Sequence, residues 1–389
     1  MRTPLGATYL GDGRTQFQVW GPLLREIAVH VVSPRERLIP LRRTAAGYHA
    51  GIADDVPAGA LYFYRLDGDR DRPDPASQYQ PQGVHGPSEV VDHTFPWTDD
   101  CWFGVPLSRY IFYELHVGTF SEAGTFDGVI PYIPYLQHLG ITAVEIMPVA
   151  EFTGARNWGY DGVYPFAPES SYGGPAGLKR MVDALHQHGI AAVLDVVYNH
   201  LGPEGNYTFE YGPYFTDRYK TLWGQGLNFD GEESHHVRRF FVDNADYWVS
   251  QFHIDALRLD AIDRITDKSA FTFLEELVLR MRERADSVGR QIHLIGETNS
   301  NNPVYVRSPA MGGYGLDAQW NDDFHHSMRT LLTGDLRDYY QDFGQFNQLV
   351  KAMREGYVYS GQYSANARQP RGVSSRDIPG YRFVHFSQN

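Results

Sequence analysis

Two short apolar segments each close on a carboxylate: Leu257-Arg258-Leu259-Asp260 and Leu294-Ile295-Gly296-Glu297. Side chains alternate between the faces of a strand, so Arg258 and Asp260 point one way while Leu257 and Leu259 pack on the other. If the second segment is the next parallel strand, Glu297 stands beside Asp260 with the two backbones about 4.8 Å apart. Cleavage of a glycosidic bond with retention needs two carboxyl groups roughly 5 to 5.5 Å apart, one to attack the sugar carbon and one to protonate the departing oxygen. Adjacent strands supply that spacing without special loops. Arg258 favours the ionised form of Asp260, as a nucleophile requires, and the apolar run before Glu297 raises its pKa and keeps it a proton donor. The plain structural alternative is an ion pair at a strand end and a solvated Glu297.

A third segment, Asp195-Val196-Val197-Tyr198-Asn199-His200, puts Asp195 and Asn199 on one face and starts a loop at His200. These groups need a frame to hold them. From Tyr110 onward apolar strands alternate with helix-period segments, the pattern of a parallel sheet covered by helices. The strands expected are Ile111 to Leu115, Ile141 to Met147, Ile190 to Val197, Ile254 to Leu259, Ile292 to Ile295, Leu316 to Trp320 and Arg382 to Phe386. One helix carries Val237, Phe240, Phe241, Ala245, Trp248, Val249 and Phe252 on a single stripe; another, from Ser269 to Asp286, turns Phe271, Leu274, Val278 and Met281 inward. The fold class is therefore α/β, a (β/α)8 TIM-type barrel whose site lies at the C-terminal ends of its strands. Up to about residue 95 the short segments Phe17 to Trp20, Ile27 to Val32 and Leu61 to Leu66 read instead as a small β-sandwich. A Pro-rich stretch from Arg72 to Pro87 suits an ordered strap. The domains expected are 1–98, sandwich plus linker, and 99–389, barrel. Eight strands close such a barrel, so seven leave it incomplete, with unpaired edges on the first and seventh that favour association.

A length of 389 residues accommodates a barrel of about 250 residues with an accessory unit. A formal net charge of −13, with no basic cluster, argues against nucleic acid or an anionic membrane as partner. The aromatic share of 14%, with 26 Tyr and 7 Trp, suits the flat faces and hydroxyl edges of sugars. The single cysteine, Cys101, makes no internal disulfide, and Met1 to Gly6 lead into no apolar leader. Both point to a cytoplasmic protein.

The three strand-end segments, in this order, resemble the α-amylase superfamily of glycoside hydrolases. Longer stretches narrow the resemblance to the malto-oligosyltrehalose trehalohydrolase family: Pro73 to Ser77 with Gly86-Pro87-Ser88, Tyr113 to Phe120, Asn157-Trp158-Gly159-Tyr160-Asp161-Gly162, and above all Asn321-Asp322-Asp323-Phe324-His325-His326 followed by Leu332-Thr333-Gly334 and Tyr339-Tyr340. Glycogen branching enzymes share the earlier stretches but not the last. The resemblance implies hydrolysis of the α-1,4 bond next to the terminal trehalose of a malto-oligosyltrehalose. In it Asp260 matches the nucleophile, Glu297 the acid/base and Arg258 the residue that orients the nucleophile. Asp195 and His200 match groups lining the sugar subsite, and Tyr160 stacks on the ring at the cleavage point. Asp322, Asp323, His325 and His326 would sit on the rim, where trehalose is told from maltose by hydrogen bonds. Tyr160 as turn packing, His200 as a loop cap and the rim segment as a solvated turn are the competing readings. Adjacent His325 and His326 lack the i, i+4 spacing of a helical zinc site, and neither a metal nor a cofactor is expected.

Two departures qualify the resemblance. Ala256 and Asp263 flank Asp260 where the family more often has Gly and His, which bears on contacts to the leaving trehalose. The superfamily also carries a third carboxylate in a His-Asp pair after an Asn at the end of the seventh strand, and Asn389 is the last residue of this sequence. Without that acid the rate should fall by several orders of magnitude. A non-catalytic glucan-binding protein and a branching enzyme are the alternatives to trehalose release.

Overall fold

The computed structural model describes residues 3–388; Met1, Arg2 and Asn389, which enter the reading of the two ends above, lie outside the described residues. Seven parallel strands form one sheet in chain order: β1 (Phe112–Leu115), β2 (Ala143–Ile146), β3 (Ala191–Val196), β4 (Ala256–Leu259), β5 (His293–Glu297), β6 (Ala318–Trp320) and β7 (Phe383–Val384). Each falls within or beside the segment expected for it, and β5 runs two residues further, so that Glu297 is its last residue. An α/β barrel of about seven strands is thus the observed architecture, with β1 and β7 at the edges.

Alternation along these strands separates two cores. Val144, Ile146, Ala192, Leu194, Leu257, Leu259 and Leu294 pack outward against the helices. Ala143, Ala191, Val193, Ala256, Ile295, Ala318 and Trp320 face the inside, with Trp102, Val105, Leu107 and Phe112 against them. The inner face therefore begins with small and apolar residues and ends, at the C-terminal side, on Asp195, Arg258, Asp260 and Glu297. Helix α1 (Gly174–Gln187) and helix α2 (Ser234–Gln251) cover the outside with buried stripes, the latter through Val237, Phe240, Phe241, Ala245, Trp248 and Val249 as the periodicity predicts. Helix α3 (Phe273–Val288) buries Leu274, Val278 and Met281, but Phe271 is 48% exposed. The reason is a capping box: Thr272 and Glu275 cap one another's backbone, so the helix begins after Phe271 and leaves it outside the stripe.

Two antiparallel sheets precede the barrel. One orders Gly6–Gly11, Arg14–Trp20, Tyr48–Ala53 and Arg42–Arg43; the other orders Arg37–Pro40, Ile27–Ser33, Leu61–Leu66 and Arg70–Arg72, with Ser88–Glu89 added on Leu61–Leu66. They meet through pairs such as Phe17 and Tyr62, whose rings lie edge to face at 5.0 Å. The Pro-rich strap is tightly held: Asp74 is buried and accepts from Tyr62 Oη (2.7 Å) and Ala76 N (2.8 Å). This β region rests on α2, where Tyr48 Oη bonds His236 Nδ1 at 2.8 Å. Among the described residues no helix is long and apolar enough to cross a membrane.

Candidate active site

Register places the two strand-end carboxylates side by side. Leu259 pairs with Gly296 in the β4–β5 ladder, so Asp260 and Glu297 each stand one residue past that pair. Gly296 leaves room for its neighbours here: a Cβ at this position would lie 2.4 Å from Ile262 Cδ1 and 2.8 Å from Leu316 Cδ1, so those side chains would have to move aside. Beyond Asp260 the chain turns sharply: Ala261 takes φ +42°, and its N–H donates to Glu297 Oε2 at 2.8 Å. The turn after one acid thus anchors the other.

Arg258 joins the cluster. Its Nη1 donates to Asp195 Oδ2 at 2.7 Å and to Asp260 Oδ1 at 3.2 Å, and its Nη2 lies 3.9 Å from Glu297 Oε2. Asp195 also accepts from Tyr160 Oη at 3.0 Å. Asn199 Nδ2 donates to both the backbone oxygen (2.8 Å) and Oδ2 (2.9 Å) of Asp260, and Asn199 Oδ1 in turn contacts His200 Nδ1. Tyr160 follows Gly159, which sits at φ +95° with its missing Cβ aimed 1.9 Å from Pro148 O. Only glycine allows that turn and so brings the Tyr160 hydroxyl to Asp195.

Burial moves Glu297 and Asp195 away from free carboxyls. It raises Glu297 to about 7, against the opposing pull of Arg258 and with help from Asp322 and Asp260. It likewise raises Asp195 to about 7, again opposed by Arg258. Burial lowers His200, whose neutral ring stacks on Trp223 at 4.4 Å, nearly parallel.

The rim residues separate into two groups. Asp322, His325 and His326 line a cavity of about 420 Å³ with Asn299, Tyr339 and Arg371. Asp322 is pushed up to about 6, mainly by burial and by Asp323. His325 accepts from Gln388 N at 3.1 Å and lies against Phe386; His326 is enclosed by Tyr339, Tyr340 and Phe343 and lowered to about 3 by burial. Neither imidazole is the solvated turn that a His-rich segment suggests. Asp323 does not face the cavity. It starts helix α4 (Asp323–Thr333), is fully buried, and accepts from Asn301 Nδ2 (2.7 Å), Val358 N (2.7 Å) and Arg371 Nη2 (3.2 Å), so it braces the surrounding loops. Asp263 lies on the short turn Ile262–Arg264 and pairs with Arg264 Nε at 3.2 Å.

Two residues of this region escape sequence reasoning. Glu145 of β2 lies beneath Arg258 with Oε1 3.6 Å from Nε; its signal is an acid on the inward phase of an otherwise apolar strand. Trp223 sits at the tip of a hairpin, Phe215–Thr221 with Gly224–Leu227, that reaches His200. A separate group, Glu233, His235 and His236 at the start of α2, brings three ligand atoms within 4.8 Å of one another and includes none of the expected site residues.

Known proteins resemble this chain in sequence and in fold. The family model "Alpha amylase, catalytic domain" matches residues 96–223. Malto-oligosyltrehalose trehalohydrolase of Saccharolobus solfataricus is 44% identical over 97% of this chain and 66% of its own length, and that of Arthrobacter ramosus is 43% identical over 96% and 66%. The chain thus spans just under two thirds of the length of these relatives. The branching enzyme GlgB of Vibrio cholerae is 32% identical over 82% of this chain and 49% of its own. Among solved structures, a putative alpha amylase from Salmonella typhimurium superposes with a TM-score of 0.89 at 37% identity, covering 96% of this chain and 64% of that one. A pullulanase mutant from Paenibacillus barengoltzii, complexed with maltotetraose, reaches 0.74 at 21% identity and shares the fold.

Proposed function

We propose that this chain, 44% identical over 97% of its length to a malto-oligosyltrehalose trehalohydrolase, belongs to that family and hydrolyses the α-1,4 bond next to the terminal trehalose of a malto-oligosyltrehalose by double displacement. One observation carries the reading: a single guanidinium reaches both strand-end carboxyl groups, Asp260 at 3.2 Å and Glu297 at 3.9 Å.

In this mechanism Asp260 is the nucleophile. Arg258 and Asn199 hold its oxygens, which fixes its direction of attack. Glu297, raised to about 7 by burial, carries the proton that the departing glycosidic oxygen takes as the C–O bond breaks and the Asp260–sugar bond forms. The same carboxylate then removes a proton from water as water displaces Asp260, restoring both groups. Tyr160 supplies a ring face to the sugar beside Asp195, and the buried, neutral His200 offers a hydrogen bond to a hydroxyl. Asp322, His325 and His326, on the cavity beside Glu297, contact the trehalose portion, whereas Asp323 supports them from behind.

Incubation with maltotriosyl-trehalose tests the reading directly. Free trehalose, with the new reducing end of the maltodextrin first appearing as the α anomer in proton NMR, is the expected outcome. Binding of maltodextrin without release would favour a glucan-binding role, and new branch points in linear amylose would make the chain a branching enzyme.

A further inference from the structure

The floor of the carboxylate cluster holds a group that the mechanism above does not use. Glu145 is wholly buried, and neither of its carboxyl oxygens has a hydrogen-bond partner. Arg258 Nε, 3.6 Å from Glu145 Oε1, has none either. Two unpartnered groups therefore face each other on the inner edge of a guanidinium whose outer edge serves Asp195, Asp260 and Glu297. A guanidinium is a rigid planar fork, so whatever holds its Nε edge also decides where its Nη groups point.

We propose that Glu145 is a positioning residue: its carboxyl, supported by the barrel interior, faces Arg258 Nε as a polar contact at 3.6 Å and thereby aims the opposite edge of the guanidinium at Asp260 and Glu297. Glu145 touches no reacting atom and acts through Arg258. Four carboxyl groups around one cation do not all ionise in a buried site. Glu145 is the natural one to stay neutral, because burial drives its pKa well up; Arg258 opposes that rise, while Asp195 of β3, Glu114 of β1 and Glu297 of β5 add to it. A neutral acid still presents an oxygen to the N–H, so the positioning survives without a charge at the floor.

Glu145→Gln keeps the shape and the acceptor, whereas Glu145→Met keeps the volume and removes the acceptor. The primary readout is the titration of Glu297, followed by NMR in protein labelled at the glutamate carboxyl carbon and assigned with Glu297→Gln. Around Glu297 the other titrating and charged groups are Arg258, Asp322 and Asp260, with the Ala261 N–H bonded to it; none of these changes in the variants. The Gln variant should leave the Glu297 midpoint in place. The Met variant should raise it by about one pH unit, as a loosened guanidinium opposes protonation less.

The kinetic arm rests on the hydrolase reading: kcat for trehalose release should fall about 100-fold in the Met variant with KM nearly unchanged, and Gln should restore it. An unmoved Glu297 midpoint in a folded Met variant overturns the proposal. So does a Gln variant that shifts Glu297 as far as Met does, since the charge of Glu145 and not its acceptor would then matter. Glu145→Val, a good strand former, is read the same way if the Met variant does not fold. Failure of the wild type to release trehalose would undo the functional reading alone, because the titration needs no turnover.

Discussion

Replacing Arg258 by Met would remove the cation from a cluster in which Asp195 lies at 2.7 Å, Asp260 at 3.2 Å, Glu145 at 3.6 Å and Glu297 at 3.9 Å. At an effective dielectric of about 20, one such pair 4 Å apart is worth about 4 kcal/mol before desolvation. Burying the guanidinium offsets much of that, and measured losses on breaking a buried pair by deleting one partner are about 3–5 kcal/mol. We expect a loss of that size at alkaline pH, or a fall in Tm of about 4–6 °C. The dependence on pH is the sharper part. Asp195 and Glu297 are both raised to about 7, chiefly by burial, so the folded state favours their protonated forms. Their contribution to stability is complete below their unfolded values near 4 and is lost as pH rises through about 7. Without Arg258 both midpoints climb further, and the loss with rising pH runs deeper. Wild type and variant should therefore be close near about pH 5 and diverge toward about pH 8 in paired calorimetric melts. A difference in Tm that stays constant across this range, or a loss under about 1 kcal/mol at its alkaline end, would refute the electrostatic account of the cluster.

Other outcomes follow from the same geometry. Asp260→Asn and Glu297→Gln should each cut trehalose release by about 1000-fold or more while leaving circular dichroism unchanged; near-normal turnover by either variant would reverse the assignment of roles. Because Glu297 must be protonated to act as the acid, kcat should decline as pH rises through about 7, and a flat profile well into the alkaline range would separate Glu297 from the proton transfer. Gly159→Ala forces a Cβ onto Pro148 O at a backbone angle that favours glycine. It should cost about 2–4 kcal/mol in urea unfolding and raise KM by displacing Tyr160, whereas a neutral result would show that the turn relaxes freely.

Much of the barrel was readable from residue order because each strand is a short apolar run with a polar end, and that signal is local. The lateral pairing of Asp260 with Glu297 was readable for the same reason, since strand alternation and parallel register fix both. What escaped depends on distant partners. Asp323 looks like one of two exposed acids after Trp320, yet Asn301, Val358 and Arg371 converge on it from other loops. His325 and His326 sit in a hydrophilic-looking segment, but Phe386, Tyr339, Tyr340 and Phe343 enclose them. Phe271 fitted the helical period and lost to a local cap at Thr272. Glu145, one acid in an apolar strand, carries no motif, and its meaning comes from Arg258, which lies two strands away in the sheet.

The ladder that pairs Leu259 with Gly296 has an evolutionary corollary. Since the distance between the two acids is inherited from interstrand spacing, loops such as the Trp223 hairpin and the segment after Trp320 are free to diversify without moving the pair. Only slippage of an entire strand against its neighbour would change that distance, and the continuous ladder from the pair Ala256 and His293 to the pair Leu259 and Gly296 opposes it.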